Sequence, residues 1–321
     1  MAVYNLAYAF FLLGVGVFIS VFTFSWFVVW LGMELVLFGS YLFLVDRERR
    51  SIDSSYMYYF VQSFGSSVLI MSFMIGHYFM GGPLLSGFFC GLMVKVGGVP
   101  FHFWVIKVLY GVRRSSVGFF LTAPKVIPFF SVCNSYYAGF ELYFFGVLSV
   151  LVGACSGTGC IRVSDFVGYS SVAHVGWSLG ACANGLSTFI YYFFAYWVSL
   201  WGFLYLVGGS GYLYGMLGKG LDPSLRFSLV ICVWILSLGG FPPLMGFFSK
   251  LVVLFPAMEH YPLFGCALML GSLVGWVYYL FVISVLITRR NYFRLKGKRG
   301  SFSVSAPILG VFYFFLSGYL L

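Results

Sequence analysis

Charge is what this sequence has least of. Asp, Glu, Lys and Arg make up only 8% of its 321 residues, while 61% are hydrophobic. A soluble domain carries about 25% charged residues. A water-soluble fold of this length could not cover its surface with so few polar groups, so that class is excluded. Lipid removes the demand, because an apolar helix exterior can face acyl chains. Apolar runs of about 20 residues, long enough to span a bilayer as helices, recur along the chain. Helices also satisfy their own backbone groups, which lipid cannot do.

Other absences narrow the chemistry. The seven cysteines (Cys90, Cys133, Cys155, Cys160, Cys182, Cys232, Cys266) form no C-x-x-C pair and lie mostly in apolar runs. They read as small core hydrophobes rather than disulfides or cluster ligands. The four histidines show no H-x-x-x-H spacing, so no haem, iron–sulfur or zinc site is predicted. No Gly-rich loop stands between a strand and a helix, so no nucleotide site is visible. The first apolar run has no small-residue cleavage site after a short core, which argues against a removed signal peptide. What is abundant suits a bilayer. Forty glycines allow helices to approach closely, and 24 Tyr and 8 Trp suit the lipid–water boundary.

Polar and Gly/Pro punctuation predicts about eleven transmembrane spans: 4–22, 25–45, 56–79, 84–109, 116–135, 140–160, 164–183, 187–210, 225–257, 262–288 and 302–321. The spans 84–109 and 225–257 are long, contain proline and read as interrupted.

The net charge of +10 would point to nucleic acid in a soluble chain, but the placement of the charges argues otherwise. The loops after even-numbered spans share one side. They hold Arg47, Arg49, Arg50, Lys107, Arg113, Arg114, Arg162, Lys219, Arg226, Arg289, Arg290, Arg294, Lys296, Lys298 and Arg299. The opposite loops hold no Lys or Arg. Membrane insertion keeps basic loops inside, which predicts an inner N-terminus and an outer C-terminus.

Three basic residues remain, Lys95, Lys125 and Lys250, all within spans, and one acid joins them, Glu34 in WLGMELVLFG. The other acids, Asp46, Glu48, Asp53, Glu141, Asp165, Asp222 and Glu259, fall in loops or near span ends. A charge at the centre of a membrane helix costs about 2.5–3.5 kcal/mol on insertion scales. Such groups must therefore face one another, water or other polar groups. Burial and pairing push an ionisation equilibrium in opposite directions, so groups of this kind can exchange protons when their surroundings change. The plainer reading is that they only fasten helices together. Lys250, just after a helix break, could also sit near an interface.

Two breaks carry the same G-G-x-P pattern: VGGVPFHFW at 96–104 and LGGFPPLMGFF at 238–248. Proline removes a helix donor, and paired glycines weaken the helix further. Each break has a lysine nearby, Lys95 or Lys250, and the two breaks lie five spans apart. The chain thus reads as an all-α integral membrane protein with two inverted five-helix units, 1–138 and 139–289, each with a broken fourth helix. A loop and C-terminal helix follow at 290–321. His102 at the first break, and His174 in YSSVAHVGW, could each relay a proton or simply make a hydrogen-bonded contact.

At these residues the sequence resembles the subunit 2 family of respiratory complex I (NADH dehydrogenase), one of that complex's antiporter-like membrane families. The resemblance is carried by WFVVWLGMEL at 26–35, KVGGVPFHFWV at 95–105, TAPKVIPFF at 122–130, YSSVAHVGW at 169–177 and LGGFPPLMGFFSK at 238–250. It implies proton translocation by Glu34 and Lys95 as a coupled ion pair, Lys125 as central relay and Lys250 as exit-side carrier. It implies that NADH, flavin, iron–sulfur clusters and ubiquinone belong to partner subunits, with other membrane-arm and accessory subunits as neighbours. The eleven-span length resembles the animal mitochondrial form, which implies the mitochondrial inner membrane with the basic face toward the matrix. The sequence departs from the family at Ile106 and Lys107, after PFHFW, and at Asp165 and Phe166, before YSS; both sites are expected at the membrane edge. A free-standing cation/proton antiporter and a purely structural membrane subunit are the alternatives. A single buried acid speaks against a sodium-type site.

Overall fold

The computed structural model describes residues 2–23, 25–45, 49–80, 85–135, 139–160, 162–207, 225–242 and 244–296. Within them lie twelve helices. In chain order they are α1 (Ala2–Phe22), α2 (Trp26–Leu44), α3 (Arg49–Met80), α4 (Leu85–Val96), α5 (Phe103–Leu109) and α6 (Arg114–Cys133), followed by α7 (Gly139–Gly157), α8 (Val163–Asn184), α9 (Leu186–Val207), α10 (Leu225–Gly239), α11 (Met245–His260) and α12 (Pro262–Lys296). No β-strand occurs among the described residues. The interrupted spans are α4 with α5, and α10 with α11. The span predicted at 302–321 and the loop residues Arg47, Lys219, Lys298 and Arg299 lie outside the described residues. α3 begins seven residues before the predicted span at 56, because its first turns are a polar extension (RRSIDSS) that needs no lipid.

Six helices, α2, α3, α6, α7, α9 and α12, contain stretches long and apolar enough to cross a membrane. Their outer faces carry large apolar side chains such as Phe11, Phe22, Tyr78 and Tyr205 in open exposure, as an acyl-chain environment permits. α8 is not among the six. Its sequence is dotted with Ser, Gly and His, yet sixteen of its residues are buried. It is surrounded by α5, α6, α7, α9 and α11. Protein, not lipid, therefore solvates α8.

Glycine makes the α7–α8 contact possible. A Cβ on Gly153 would come within 2.7 Å of the Ala173 backbone nitrogen, so only a residue without a side chain lets the two backbones meet. Two apolar clusters fill the bundle, one around Trp177, Phe129 and Leu92, the other around Phe166, Leu121 and Phe203. The cysteines correct the core reading: Cys160, Cys182 and Cys232 are buried, but Cys90, Cys155 and Cys266 are exposed. In a bilayer the outer face also accepts small apolar side chains, so an apolar run does not mark an inward one. Phe166, expected at an edge, is fully buried against Phe203, Tyr278 and Tyr279.

Candidate functional site

The first helix break is a stitched junction. α4 ends at Val96, and Gly97 takes φ +76°, the left-handed conformation that glycine adopts without penalty. The N–H groups of Gly97 and Gly98 both return to the Met93 carbonyl, at 3.0 and 3.1 Å, as in a glycine C-cap. The carbonyls left over are taken by side chains from other helices. Gln62 Nε2 on α3 donates to the Lys95 carbonyl at 3.0 Å, and Trp104 Nε1 on α5 donates to Val94 at 3.2 Å. The Val99 N–H finds Ser149 Oγ on α7 at 3.1 Å. Backbone this irregular is tolerated at membrane depth only when such partners exist.

Lys95 occupies the last turn of α4, where the helix dipole favours a cation. Its Nζ pairs with Glu34 Oε1 on α2 at 3.2 Å. The lysine is 3% exposed and the glutamate 20%, so the acid is the member of the pair that retains access to its surroundings. A small cavity of about 10 Å³ adjoins Lys95, bounded by Tyr58, Gln62, Pro124 and Pro128. It is of the order of one water molecule in size.

Lys125 follows Pro124 in α6 and is 4% exposed. It has no ion pair or hydrogen bond among the described residues. α6 runs unbroken through Pro124 and Pro128, a feature the sequence reading overlooked. Neither proline can donate to the preceding turn. The carbonyls of Phe120 and Pro124, one turn before the two prolines, therefore lack their usual helical partners.

The second break reverses the arrangement. α10 ends at Gly239, and Gly240 takes φ +74°. Lys250, one helix later in α11, reaches back to donate to the Gly239 carbonyl at 2.7 Å. Trp276 Nε1 on α12 donates to the same oxygen at 2.9 Å. The Lys250 ammonium also lies 5.4 Å from the centre of the Trp177 ring, within cation–π range. Lys250 is thus inside the bundle rather than near an interface. The first break offers its carbonyl to a neutral amide; the second offers it to a cation.

His174, on the central helix α8, lies in the electrostatic field of both Lys125 and Lys250. Its Nδ1 is 2.6 Å from Tyr192 Oη on α9, and its Nε2 is buried. A cavity of about 20 Å³ touches both His174 and Lys250. The sequence offered His174 as one of two isolated candidates; only the packing of α6, α8 and α11 singles it out. His102 lies buried at the first break against Phe103 at 4.1 Å, apart from these contacts.

At one end of α6 and α8 a vestibule of about 610 Å³ is lined by Arg50, Tyr110, Arg162 and apolar residues of α6, α8 and α9. Arg162 lies 5.2 Å over the Tyr110 ring. A hydrogen bond to the Asp165 carboxylate pushes the Tyr110 phenol up to about 12. The phenol therefore stays a neutral donor at any physiological pH. Among the described residues no group of three His, Cys, Asp or Glu side chains could hold a metal ion.

Known proteins resemble this chain in sequence and in fold. The profile of a transmembrane family described as NADH:quinone oxidoreductase/Mrp antiporter matches residues 23–275. The NADH-ubiquinone oxidoreductase chain 2 of Branchiostoma floridae is 30% identical over 275 residues, covering 79% of this chain and 78% of its own. That of Locusta migratoria is 24% identical over 320 residues, covering 92% and 90%. Among solved structures, a chain of respiratory complex I from Thermus thermophilus superposes with a TM-score of 0.71 at 19% identity, covering 83% of this chain and 71% of that one. A chain of the Mrp complex from a Dietzia species gives 0.72 at 17% identity, covering 84% and 58%.

Proposed function

Because the chain belongs to the NADH:quinone oxidoreductase/Mrp antiporter transmembrane family, we propose that it carries protons as the chain 2 subunit of a respiratory NADH:ubiquinone oxidoreductase in the mitochondrial inner membrane. The observation that carries the reading is the Lys95–Glu34 pair, a buried ammonium held 3.2 Å from a partly accessible carboxylate at a helix break. A pair at about 4 Å is worth about 4 kcal/mol at an effective dielectric near 20. Opening or neutralising it changes the field on neighbouring groups by an amount that moves proton equilibria.

The proposed sequence of events starts at that pair. Protonation of Glu34, or its separation from Lys95, exposes the Lys95 charge. The altered field reaches Lys125, which is buried and unpaired and so responds without first breaking a salt bridge. The proton passes through His174, which lies in the field of both lysines and shares a cavity with Lys250, to Lys250 and then outward. Redox energy arrives from partner subunits, which hold NADH, flavin, iron–sulfur clusters and ubiquinone. The breaks at Gly97 and Gly240 support a reading as two inverted five-helix units, 1–138 and 139–289, with 290–321 appended. The one-sided basic loops support a matrix N-terminus and an intermembrane-space C-terminus.

Purification tests the assignment. Taken from its native membranes in mild detergent, the chain is expected to emerge with many partners in a particle that oxidises NADH. If it emerges alone and exchanges cations for protons in vesicles, it is a free-standing antiporter and the assignment is wrong.

Gly240 gives a local test of Lys250. An alanine there must hold a left-handed conformation at about 1–2 kcal/mol. Its Cβ would also stand 2.9 Å from Lys250 Nζ and 2.8 Å from Cδ, displacing the amine from Gly239. Gly240→Ala is therefore expected to lower proton flux about tenfold or more while costing the assembled complex only a few degrees in melting temperature. Unchanged flux would show that Lys250 need not sit on that carbonyl.

A further inference from the structure

Asn184 is the last residue of α8, yet its side chain does no capping there. The Gly185 N–H returns to the Cys182 carbonyl at 3.1 Å. Thr188 Oγ1 on α9 lies 2.6 and 2.7 Å from the carbonyls of Ala181 and Gly185. The turn into α9 is thus closed without the Asn184 amide. That amide reaches other helices instead. Its Nδ2 donates to the Val253 carbonyl on α11 at 2.9 Å, and its Oδ1 accepts from the Tyr143 hydroxyl on α7. Gly180, one turn earlier on α8, lies between the same two residues: a Cβ there would come within 3.3 Å of Val253 and 3.5 Å of Tyr143. Three helices therefore meet at one amide whose donor and acceptor are both engaged.

What the amide holds is the helix of Lys250. Val253 is fully buried and follows Lys250 by about one turn, on the same side of α11. At the start of that turn the Lys250 amine rests on the Gly239 carbonyl at 2.7 Å. α11 also carries Pro256 in its interior, which cannot donate to the Val252 carbonyl one turn back. The backbone ladder of α11 is therefore incomplete in the very turn that Asn184 grips. A slide or rotation of α11 at this point would carry Lys250 with it and move the amine off Gly239.

We infer that Asn184 is the positioning residue of Lys250: its amide, oriented by Tyr143, sets the register of α11 against α8 and so seats the amine on the Gly239 carbonyl. The inference rests on the proton-carrying function proposed above and deepens it, because Lys250 is the exit-side carrier there. Asn184 takes up no proton itself. It acts through the place of the lysine, one turn of α11 away.

The test uses the whole complex in sealed vesicles and reads protons moved per NADH oxidised, a ratio that loss of complex alone leaves unchanged. Asn184→Leu keeps a similar volume and removes both hydrogen bonds. The ratio is expected to fall about tenfold, less than the roughly hundredfold that a misplacement of about 1 Å can cost. The melting temperature should drop by a few degrees at most. Gly240→Ala already takes Lys250 off its carbonyl, so adding Asn184→Leu to it is expected to cost little more. Effects that multiply instead, to about a hundredfold together, overturn the inference, because Asn184 then acts elsewhere than on the seat of Lys250. A wild-type ratio in Asn184→Leu beside a lost one in Lys125→Met also overturns it and leaves the carrier function standing. A wild-type ratio in both removes the carrier function itself. A wild-type ratio in Gly240→Ala overturns the inference too, since the seat would then not matter. Should Asn184→Leu fail to assemble, Asn184→Ala removes the same amide without adding apolar bulk; a lowered ratio then supports the inference, and a wild-type ratio overturns it.

Discussion

Lys125→Met is expected to leave the complex assembled and its proton pumping abolished. The two halves of that outcome have different physical origins. Lys125 has no ion pair or hydrogen bond among the described residues, so removing its amine orphans no partner. Methionine keeps the unbranched stem and the volume, and its flexible thioether fills irregular space. Losing a desolvated charge removes a burial cost rather than adding one. Stability should therefore hold or rise slightly. Pumping has no such tolerance, because a thioether carries no proton at any accessible pH and the step between Lys95 and His174 has no substitute group. The comparison to make is flux per NADH oxidised in sealed vesicles against complex content on a native gel. Pumping at the wild-type ratio would show that protons bypass α6.

The ion pair should behave in the opposite way. Glu34→Gln leaves the Lys95 ammonium buried at 3% exposure without its counter-charge. Breaking a buried pair from one side typically costs 3–5 kcal/mol, enough to deplete a folded membrane subunit. Lys95→Met is expected to be milder, since the abandoned carboxylate is 20% exposed and can find water. The Glu34→Gln/Lys95→Met double variant removes both charges, and assembly should recover most of what the glutamine change alone destroys. A double-mutant cycle on the melting temperature of the complex should give a coupling of about 1–3 kcal/mol. Pumping should stay lost in all three. Strictly additive single effects would mean that the two groups do not act as a pair.

The charged residues of this site were legible because the sequence spends so few. With charge confined to 8% of the chain, Glu34, Lys95, Lys125 and Lys250 stand out by position alone. The breaks were legible for a similar reason: G-G-x-P cannot continue a helix, and α4 and α10 stop there. Long-range facts were not legible. Nothing local says that Lys250 reaches back across eleven residues to Gly239, or that His174 lies in the field of two lysines from other helices. The α6 prolines were passed over, and the continuous span at 116–135 held despite them. Pro124 and Pro128 resemble stop signals, yet α6 continues because α2, α4, α8 and α9 pack around it. Tertiary burial decided the outcome where local propensity disfavoured it. The same holds for cysteine: hydrophobicity predicted apolar surroundings but could not say whether these were protein or lipid.

α8 carries a consequence for how the chain enters the bilayer. A helix whose sequence is too polar for hydrocarbon gains little by leaving the translocon alone. α7 precedes it by a short connection, is apolar enough to cross, and offers the glycine-lined groove into which α8 fits. The two are thus suited to partition as one hairpin, with α7 chaperoning a partner that lipid by itself would reject.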